Sequence, residues 1–176
     1  MKLVLGVSGS IGAYKAVDIM RVFQKNDHAV TVVMTQAATR IIAPLTFATF
    51  APGKVFHDMF ADHQDPLLHI NLSKDNDLLL VAPATANIIG KMANGIADDL
   101  LSTLFCAFYK RVVVAPAMNF HMLENPAVME NIALLRSRGI EIIEPDEGLL
   151  ANRESGKGRL PAADAIYRHC IETAGV

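Results

Sequence analysis

The chain alternates short apolar runs with stretches whose apolar residues recur every three or four positions. The apolar runs predict buried strands, because a strand covered on both faces is apolar throughout. The predicted strands are Lys2 to Val7, Ala29 to Met34, Leu78 to Ala82, Arg111 to Ala115 and Ile140 to Ile143. Their alternation with helices predicts one α/β domain over residues 1–176, in which helices cover both faces of a parallel sheet.

Helical periodicity fills most of the chain between these strands. The predicted helices are Ile11 to Gln24, Thr85 to Ala93, Asp98 to Tyr109, Pro126 to Arg138 and Pro161 to Glu172. Two segments show neither pattern, Pro52 to Pro66 and Asp146 to Leu160. Both are polar or rich in glycine, so we expect them to be loops that form or cover a site.

Charge and composition exclude several classes of partner. The chain has 176 residues, is 52% hydrophobic and carries a formal net charge of −2. Basic residues are scattered, so neither nucleic acid nor a charged membrane surface is an expected partner. The apolar runs fall far short of the roughly 20 residues of a membrane span. Two cysteines are too few for a disulfide framework or a zinc site. We therefore expect a soluble, cytoplasmic protein without a metal.

The end of the first strand carries a glycine-rich sequence, GVSGSIGAYK. In it Gly9 and Gly12 alternate with Ser8 and Ser10 just before a predicted helix. Ligands of such sheets bind at the carboxyl ends of the strands. Backbone amides at a helix start bind phosphate, and the two hydroxyls can add donors. The alternative is a glycine-rich turn that binds nothing.

The residues at the end of the second predicted strand indicate which nucleotide cofactor could bind. A dinucleotide fold places a carboxylate there to hold a ribose. This strand ends in Thr35 and Gln36, which offer a hydroxyl and an amide. That favours a cofactor with one phosphate, such as FMN, over NAD.

Two further strand ends combine proline with small and amide residues. The stretch PATANIIGKMANGIADD places Ala84, Thr85, Ala86 and Asn87 at a helix start, where small residues let a flat ring come close. A simple cap by Thr85 is the alternative, but it explains poorly the polar residues that follow. In APAMNFHMLENP, Asn119 offers a polar amide beside the apolar pair Met118 and Met122. Taken alone, this motif favours a helix-capping role for Asn119. Taken together with the other two strand ends, it favours a role in ligand recognition.

The segments GSIGAYK, PATAN with ANGIADDL, and PAMNFHM resemble, in this order and spacing, the homo-oligomeric flavin-containing cysteine decarboxylases. That family includes phosphopantothenoylcysteine decarboxylase of coenzyme A synthesis and the peptidyl-cysteine decarboxylases. The resemblance extends over residues 2 to about 159. It implies a flavodoxin-like or Rossmann-like fold, bound FMN, and a trimer or a dodecamer of trimers with the flavin at subunit contacts.

The resemblance also assigns site residues. The implied FMN-binding residues are Gly9, Ser10, Ile11, Thr35, Ala84, Thr85, Ala86 and Asn87. His69 matches the family's catalytic histidine, and histidine suits proton transfer. Without the family pattern, a lone histidine between two apolar residues is more often structural. Asn119 would hold the substrate carboxylate or its neighbouring amide, with Met118, Ala151 and Arg153 as further substrate contacts.

The implied chemistry explains why a flavin is needed. A carboxylate on a saturated carbon does not leave, because the electron pair left behind has no acceptor. In the family the cysteine side chain loses two electrons to the flavin and becomes a thioaldehyde. The thioaldehyde accepts the electrons released on decarboxylation and yields an enethiolate. The protein holds the thiol-bearing carbon and manages protons and charge.

One position departs from the phosphopantothenoylcysteine decarboxylases. Their substrate flap carries a cysteine that protonates the enethiol as the flavin returns its electrons. Here the flap, at about residues 146–160, reads DEGLLANRESGKGRL and has Asn152 at that catalytic position. An amide cannot donate a proton near neutral pH. Cys106, in a helix predicted to be buried, and Cys170, near the C-terminus, are not evident substitutes.

Three functions remain open at this point. The close match of the flap favours conversion of 4'-phosphopantothenoylcysteine to 4'-phosphopantetheine. Asn152 favours a peptidyl-cysteine decarboxylase that stops at the enethiol. A non-catalytic, FMN-binding regulatory subunit is the third possibility, and His69 argues against it. We expect the first of these functions.

Overall fold

A computed structural model describes residues 1–61, 65–149 and 151–172, and its centre is a six-stranded parallel sheet. The strands are β1 (Lys2–Val7), β2 (Ala29–Met34), β3 (Val55–Phe56), β4 (Leu78–Ala84), β5 (Arg111–Pro116) and β6 (Glu141–Ile142). Their order is β3-β2-β1-β4-β5-β6, and every neighbouring pair is parallel. This is the doubly wound order of Rossmann-like folds, so the predicted fold class is confirmed.

The helices pack on both faces of the sheet. They are α1 (Ala16–Lys25), α2 (Gln36–Thr39), α3 (Pro44–Ala48), α4 (Leu68–Asp75), α5 (Ala86–Asn94), α6 (Leu100–Ala107), α7 (Phe120–Leu123), α8 (Pro126–Ser137) and α9 (Ala163–Glu172). A 3-10 turn, Ile11–Lys15, precedes α1 where the sequence predicted a continuous α-helix. Within the described ranges, no helix has the length and apolar character needed to cross a membrane.

Successive residues of the central strands point into two separate apolar cores. Leu5 and Leu80 belong to a core beneath α1 and α9. Val4 and Leu79 belong to the other core, beneath α4, α5, α6 and α8. Because both faces of the strands are covered, the strands read as continuous apolar runs. The molecule is therefore a three-layer structure with its open edge at the carboxyl ends of the strands.

The two predicted loops contain regular structure. Part of the first segment is β3, and residues 62–64 of that segment lie outside the described residues. The second is an antiparallel hairpin of β7 (Asp146–Leu149) and β8 (Ser155–Arg159), in which Gly148 pairs with Gly156. The prediction of an irregular loop was therefore wrong for the second segment, whereas in the first only Val55–Phe56 is a strand. Glycine is depleted in strands, so its abundance here concealed the pairing.

The hairpin is docked against the end of β5 through its glycines. The amide of Met118 donates to the carbonyl of Gly158 at 3.0 Å. A Cβ atom on Gly158 would collide with the carbonyl oxygen of Met118, and one on Gly156 would lie 2.8 Å from the ring of Phe120. Only glycine permits this close approach. The hairpin is thereby fixed beside the third of the strand ends that the sequence singled out.

Candidate active site

Two cavities open at the carboxyl edge of the sheet, and Gly9 and Thr85 line both of them. The hairpin cleft, of about 590 Å³, lies between the 3-10 turn, the end of β5 and the hairpin. The strand-end cleft, of about 500 Å³, lies beyond β1, β2 and β4. Both volumes are in the range of small-molecule sites, roughly 300–1,000 Å³. The sequence predicted ligand binding at the carboxyl ends of the strands, and both cavities lie there.

Ser8 holds two strand ends together. It is buried, and its hydroxyl donates to the carbonyl of Pro83 at 2.8 Å while accepting from the amide of Thr85 at 2.9 Å. In the single chain this proton is engaged with Pro83, so donation from the Ser8 hydroxyl to a phosphate stays a prediction. Ser10 differs, since its oxygen accepts from the amide of Gly12 at 3.3 Å and its proton is not needed for that bond.

The two glycines of the first turn have different surroundings. A Cβ atom on Gly9 would lie 2.5 Å from the Cβ of Ala37, so this turn is pressed against the segment after β2. A Cβ on Gly12 would have its nearest neighbour at 3.6 Å, the Ser10 hydroxyl oxygen. A side chain at position 9 would therefore displace the turn, whereas a small side chain at position 12 would fit.

Two threonines cap the helices at the strand-end cleft. Thr35 Oγ1 accepts from the amide of Ala38 at 3.2 Å, and Thr85 Oγ1 accepts from the amide of Ile88 at 3.4 Å. Both bonds use the hydroxyl oxygen, so the hydroxyl proton of Thr35 stays free to donate. The first amides of α5, at Ala86 and Asn87, have no acceptor within the helix. The cap predicted for Thr85 is present, and it leaves donors suited to an anionic or planar polar ligand.

Lys91 lines the strand-end cleft, and its positive charge is paired with two carboxylates. Its ammonium nitrogen lies 2.6 Å from Asp98 Oδ1 and 2.7 Å from Asp99 Oδ2. Burial opposes the charged form, but the hydrogen bonds to both carboxylates outweigh it and raise the pKa of Lys91. The bond to Lys91 lowers the pKa of Asp98. Lys91 therefore ties α5 to the start of α6, and its charge is largely cancelled there.

Asn119 is oriented within the hairpin cleft. Its Oδ1 accepts from the amide of His121 at 2.9 Å, which caps α7. This bond fixes the amide so that Nδ2, which has no partner among the described residues, can donate to a ligand. Met118, Ala151 and Asn152 line the same cleft, as the family resemblance implied. Arg153 lies at the hairpin tip with a positive φ of 68° and lines neither cleft.

The flap position itself carries an exposed amide. Asn152 contacts the carboxylate of Glu154 through Nδ2 and accepts from its backbone amide at 3.3 Å. Neither cysteine lines either cleft. Cys106 is exposed, because its helix, α6, packs against the core through other residues, such as Leu101 and Leu104. Cys170 is buried, and burial raises its pKa to about 12. The described residues thus bring no thiol to the hairpin cleft.

Some sequence-assigned residues lie outside both clefts. Ala84 is fully buried at the end of β4, and Ala86 is the first residue of α5. His69 is half-buried on α4, close to Asp65, and lines neither cavity of the single chain. The described residues contain no group of three or more His, Cys, Asp or Glu side chains that could hold a metal.

Sequence reasoning missed two cations of the hairpin cleft, Lys15 and Arg159. Lys15 ends the segment GSIGAYK, and Arg159 ends the run GKGR within the flap, and both were quoted for other reasons. The available signal was that both motifs close with a cation. Without the fold, nothing indicated that these two cations share a cavity.

Comparisons with known proteins match nearly the whole chain. A family model described as Flavoprotein matches residues 1–175. The coenzyme A biosynthesis bifunctional protein CoaBC of Bacillus subtilis (strain 168) is 44% identical over 167 residues, which cover 94% of this chain and 41% of that protein. The chain thus spans about two fifths of the length of the curated relatives it matches.

Solved structures match over nearly the whole chain. A PPC decarboxylase mutant complexed with pantothenoylaminoethenethiol superposes with a TM-score of 0.87 at 29% identity, over 99% of this chain and 98% of that one. The FMN-dependent cysteine decarboxylase SpaF gives a TM-score of 0.86 at 30% identity, over 100% and 98%. The chain belongs to the flavoprotein family.

Proposed function

We propose that this chain is an FMN-dependent decarboxylase that converts 4'-phosphopantothenoylcysteine to 4'-phosphopantetheine in coenzyme A biosynthesis. The observation that carries the proposal is the hairpin cleft, where an oriented Asn119 amide lies under a docked hairpin, beside the glycine turn. The relatives named above for coenzyme A biosynthesis and PPC decarboxylation support it.

FMN would occupy the junction of the two clefts. Its phosphate would be held by the turn of Gly9, Ser10 and Ile11 and by the Thr35 hydroxyl, while the small residues before α5 leave room for its ring. The tight packing of Gly9 and the free donors of Thr35 and α5 fit such a group. Bound FMN supplies two-electron oxidation of the cysteine side chain and its reversal.

The residues of the hairpin cleft would position the substrate. Asn119 Nδ2 would donate to the substrate carboxylate until carbon dioxide leaves, and Ala151 and Asn152 would cover the reacting carbon and keep water out. The walls formed by Ile11 and Met118 are apolar, which suits the uncharged part of the substrate.

His69 would reach a reaction site only through self-association. It lies outside both cavities of its own chain, and the family resemblance places the flavin at subunit contacts. Ile11 and Tyr14, which line the hairpin cleft, are 67% and 59% exposed, as expected for side chains that another copy covers. We propose a trimer, or a dodecamer of trimers, in which His69 of one copy moves a proton at the site of its neighbour.

Anaerobic incubation with phosphopantothenoylcysteine tests the function. We expect purified protein to be yellow and to release a saturated aminothiol while the flavin stays oxidised, as measured by mass spectrometry and absorbance. His69→Asn should keep the flavin and the oligomer but lose turnover. Colourless protein that ignores added FMN would overturn the proposal, and turnover by His69→Asn within a fewfold of the unaltered protein would remove His69 from the mechanism.

A second candidate is the oxidative decarboxylation of a peptide's C-terminal cysteine. Asn152 favours it, because no described thiol faces the cleft to protonate an enethiol. In the same anaerobic experiment this function predicts an enethiol product and bleached flavin. A non-catalytic regulatory subunit predicts neither product.

A further inference from the structure

We propose that Lys15 and Arg159 bind the phosphate at the end of the substrate remote from the cysteine, and so select phosphorylated substrates over peptides. The inference rests on the proposed function, because it assigns the specificity of the same cleft. It accounts for two cations that the decarboxylation chemistry does not use.

The charges of the hairpin cleft are unbalanced. Lys15 and Arg159 both line it, and its lining includes no Asp or Glu among the described residues. Neither cation forms an ion pair within the part of the chain that the structure describes. Lys91 in the neighbouring cleft is instead held by two carboxylates. A concave wall with cations and no carboxylate attracts anions.

The position of Arg159 depends on a glycine. A Cβ atom on Gly148 would lie 2.5 Å from Arg159 Nη1 and 3.1 Å from its Cδ, so the guanidinium side chain crosses the opposite strand of the hairpin. Gly148 also has a φ of +153°, which other residues rarely adopt. The hairpin is therefore shaped to lay this side chain along its surface at the cleft.

Lys15 approaches the same cleft from the facing segment. It ends the 3-10 turn, and the residue after Arg159 meets that turn, since the Cβ of Leu160 lies 4.0 Å from where a Cβ on Gly12 would be. The two cations thus come from adjoining walls, at opposite ends of the sequence. Asn119, the proposed partner of the substrate carboxylate, belongs to a third wall at the end of β5.

The chemistry of these groups matches a phosphate monoester. Such a group carries a charge of about −1.5 to −2 near neutral pH. A guanidinium binds it with two parallel hydrogen bonds, and an ammonium adds a point charge. A peptide ending in cysteine has its terminal carboxylate at the reacting end, where Asn119 would hold it, and need not carry a second anion. The cationic walls are therefore suited to the phosphorylated arm.

Binding of two matched ligands tests this proposal independently of turnover. We would titrate FMN-loaded protein with 4'-phosphopantothenate and with pantothenate by calorimetry, and compare the ratio of the two affinities. Lys15→Gln and Arg159→Gln should each lower that ratio roughly tenfold, since hydrogen bonds to charged groups are among the strong ones. Lys157→Gln is the control, because this cation of β8 bonds Glu144 and lies outside the cleft, and its ratio should not change.

The outcomes separate the two proposals. A ratio that stays constant in the Lys15 and Arg159 variants overturns the inference, as does loss of FMN from them, which would mean that the cations hold the cofactor. A ratio that falls as expected in a protein that decarboxylates neither phosphopantothenoylcysteine nor its unphosphorylated form supports the inference and overturns the function. A raised KM with little change in kcat for the phosphorylated substrate would support both.

Discussion

The two clefts share Gly9, Thr85 and Met122 but differ in the charge of their walls. In the strand-end cleft, Lys91 is bonded to two aspartates, and the groups that stay available are uncharged hydroxyls, backbone amides and side-chain amides. In the hairpin cleft, Lys15 and Arg159 have no carboxylate partner among the described residues.

This difference shows how one sheet edge can bind two phosphates at separate sites, each with its own kind of binding group. Neutral donors at a helix start bind a phosphate through fixed geometry. Lysine and arginine side chains without an ion-pair partner bind a phosphate through charge. Because these side chains are long, they tolerate more variation in the position of the phosphate. We therefore assign the cofactor phosphate to the first kind of site and the substrate phosphate to the second.

The largest expected effect comes from undocking the hairpin. In Gly158→Ala, the new Cβ would collide with the carbonyl of Met118, so the hairpin must shift away from the cleft. We expect kcat/KM to fall about a hundredfold, as misplacement of positioning groups can cause, while FMN stays bound. Gly139→Ala is the control, because Gly139 has a φ of +83° but no neighbour within 4 Å of a Cβ. Loss of FMN from Gly158→Ala would show that the clefts are not separable.

The next effect tests the strand-end cleft through its turn. Gly9→Ala would place a Cβ against Ala37 and move the turn, so we expect FMN affinity to fall at least about tenfold. Gly12→Ala, with its nearest neighbour at 3.6 Å, should change it little. Fluorescence titration of the flavin-free protein measures both. Equal affinities for FMN in the two variants would contradict the role assigned to Gly9.

Both effects depend on parts of the structure, and the sequence predicted some of these parts more accurately than others. The bounds of β1 and β2 agree with the predicted strands, because a strand buried on both faces is marked by every residue. The helix α4, which carries His69, was missed because its sequence, LHINLSKD, is short and has no clear apolar face. His69 itself was selected by family resemblance, and its placement outside both clefts could not be foreseen from one chain.

The hairpin shows a second limit of sequence reasoning. Its glycines favour a loop when each residue is judged by strand preference. They are required because of what they touch, the Met118 carbonyl and the Phe120 ring, and these contacts arise only when the chain folds. Lys15 and Arg159 were missed for the same reason, since they meet only across the cleft.

A moderate effect is expected from Asn152→Cys. The exposed side chain lines the hairpin cleft, and a thiol is a far better acid than an amide, so reprotonation of an enethiol should quicken. We expect the saturated product to form severalfold faster, and the flavin to return to its oxidised state sooner, in a single anaerobic turnover followed by absorbance and mass spectrometry. Asn152→Ser, of similar size and without a thiol, should not show the gain. Equal rates in all three proteins would mean that position 152 does not face the intermediate.

The smallest expected effect concerns Lys91, whose role in our account is structural. Lys91→Met should lower Tm at neutral pH by roughly 2 °C, because a partly exposed ion pair contributes little. The pKa of Asp98 is lowered in the folded protein, so the stability it contributes is present above its ordinary pKa and is lost as the pH falls through the folded value. The Tm difference should therefore shrink below about pH 4. A difference that persists at pH 3 would point to packing instead of charge.

The most direct test is a crystal structure of the protein bound to FMN and to a phosphorylated substrate analogue. Our account predicts the flavin phosphate against Gly9 and the Thr35 hydroxyl, where the strand-end cleft meets the hairpin cleft. It predicts the second phosphate between Lys15 and Arg159, with the carboxylate end of the ligand at Asn119. A flavin phosphate held by Lys15 or Arg159, or a substrate phosphate in contact with neither, would contradict the division of roles between the two clefts.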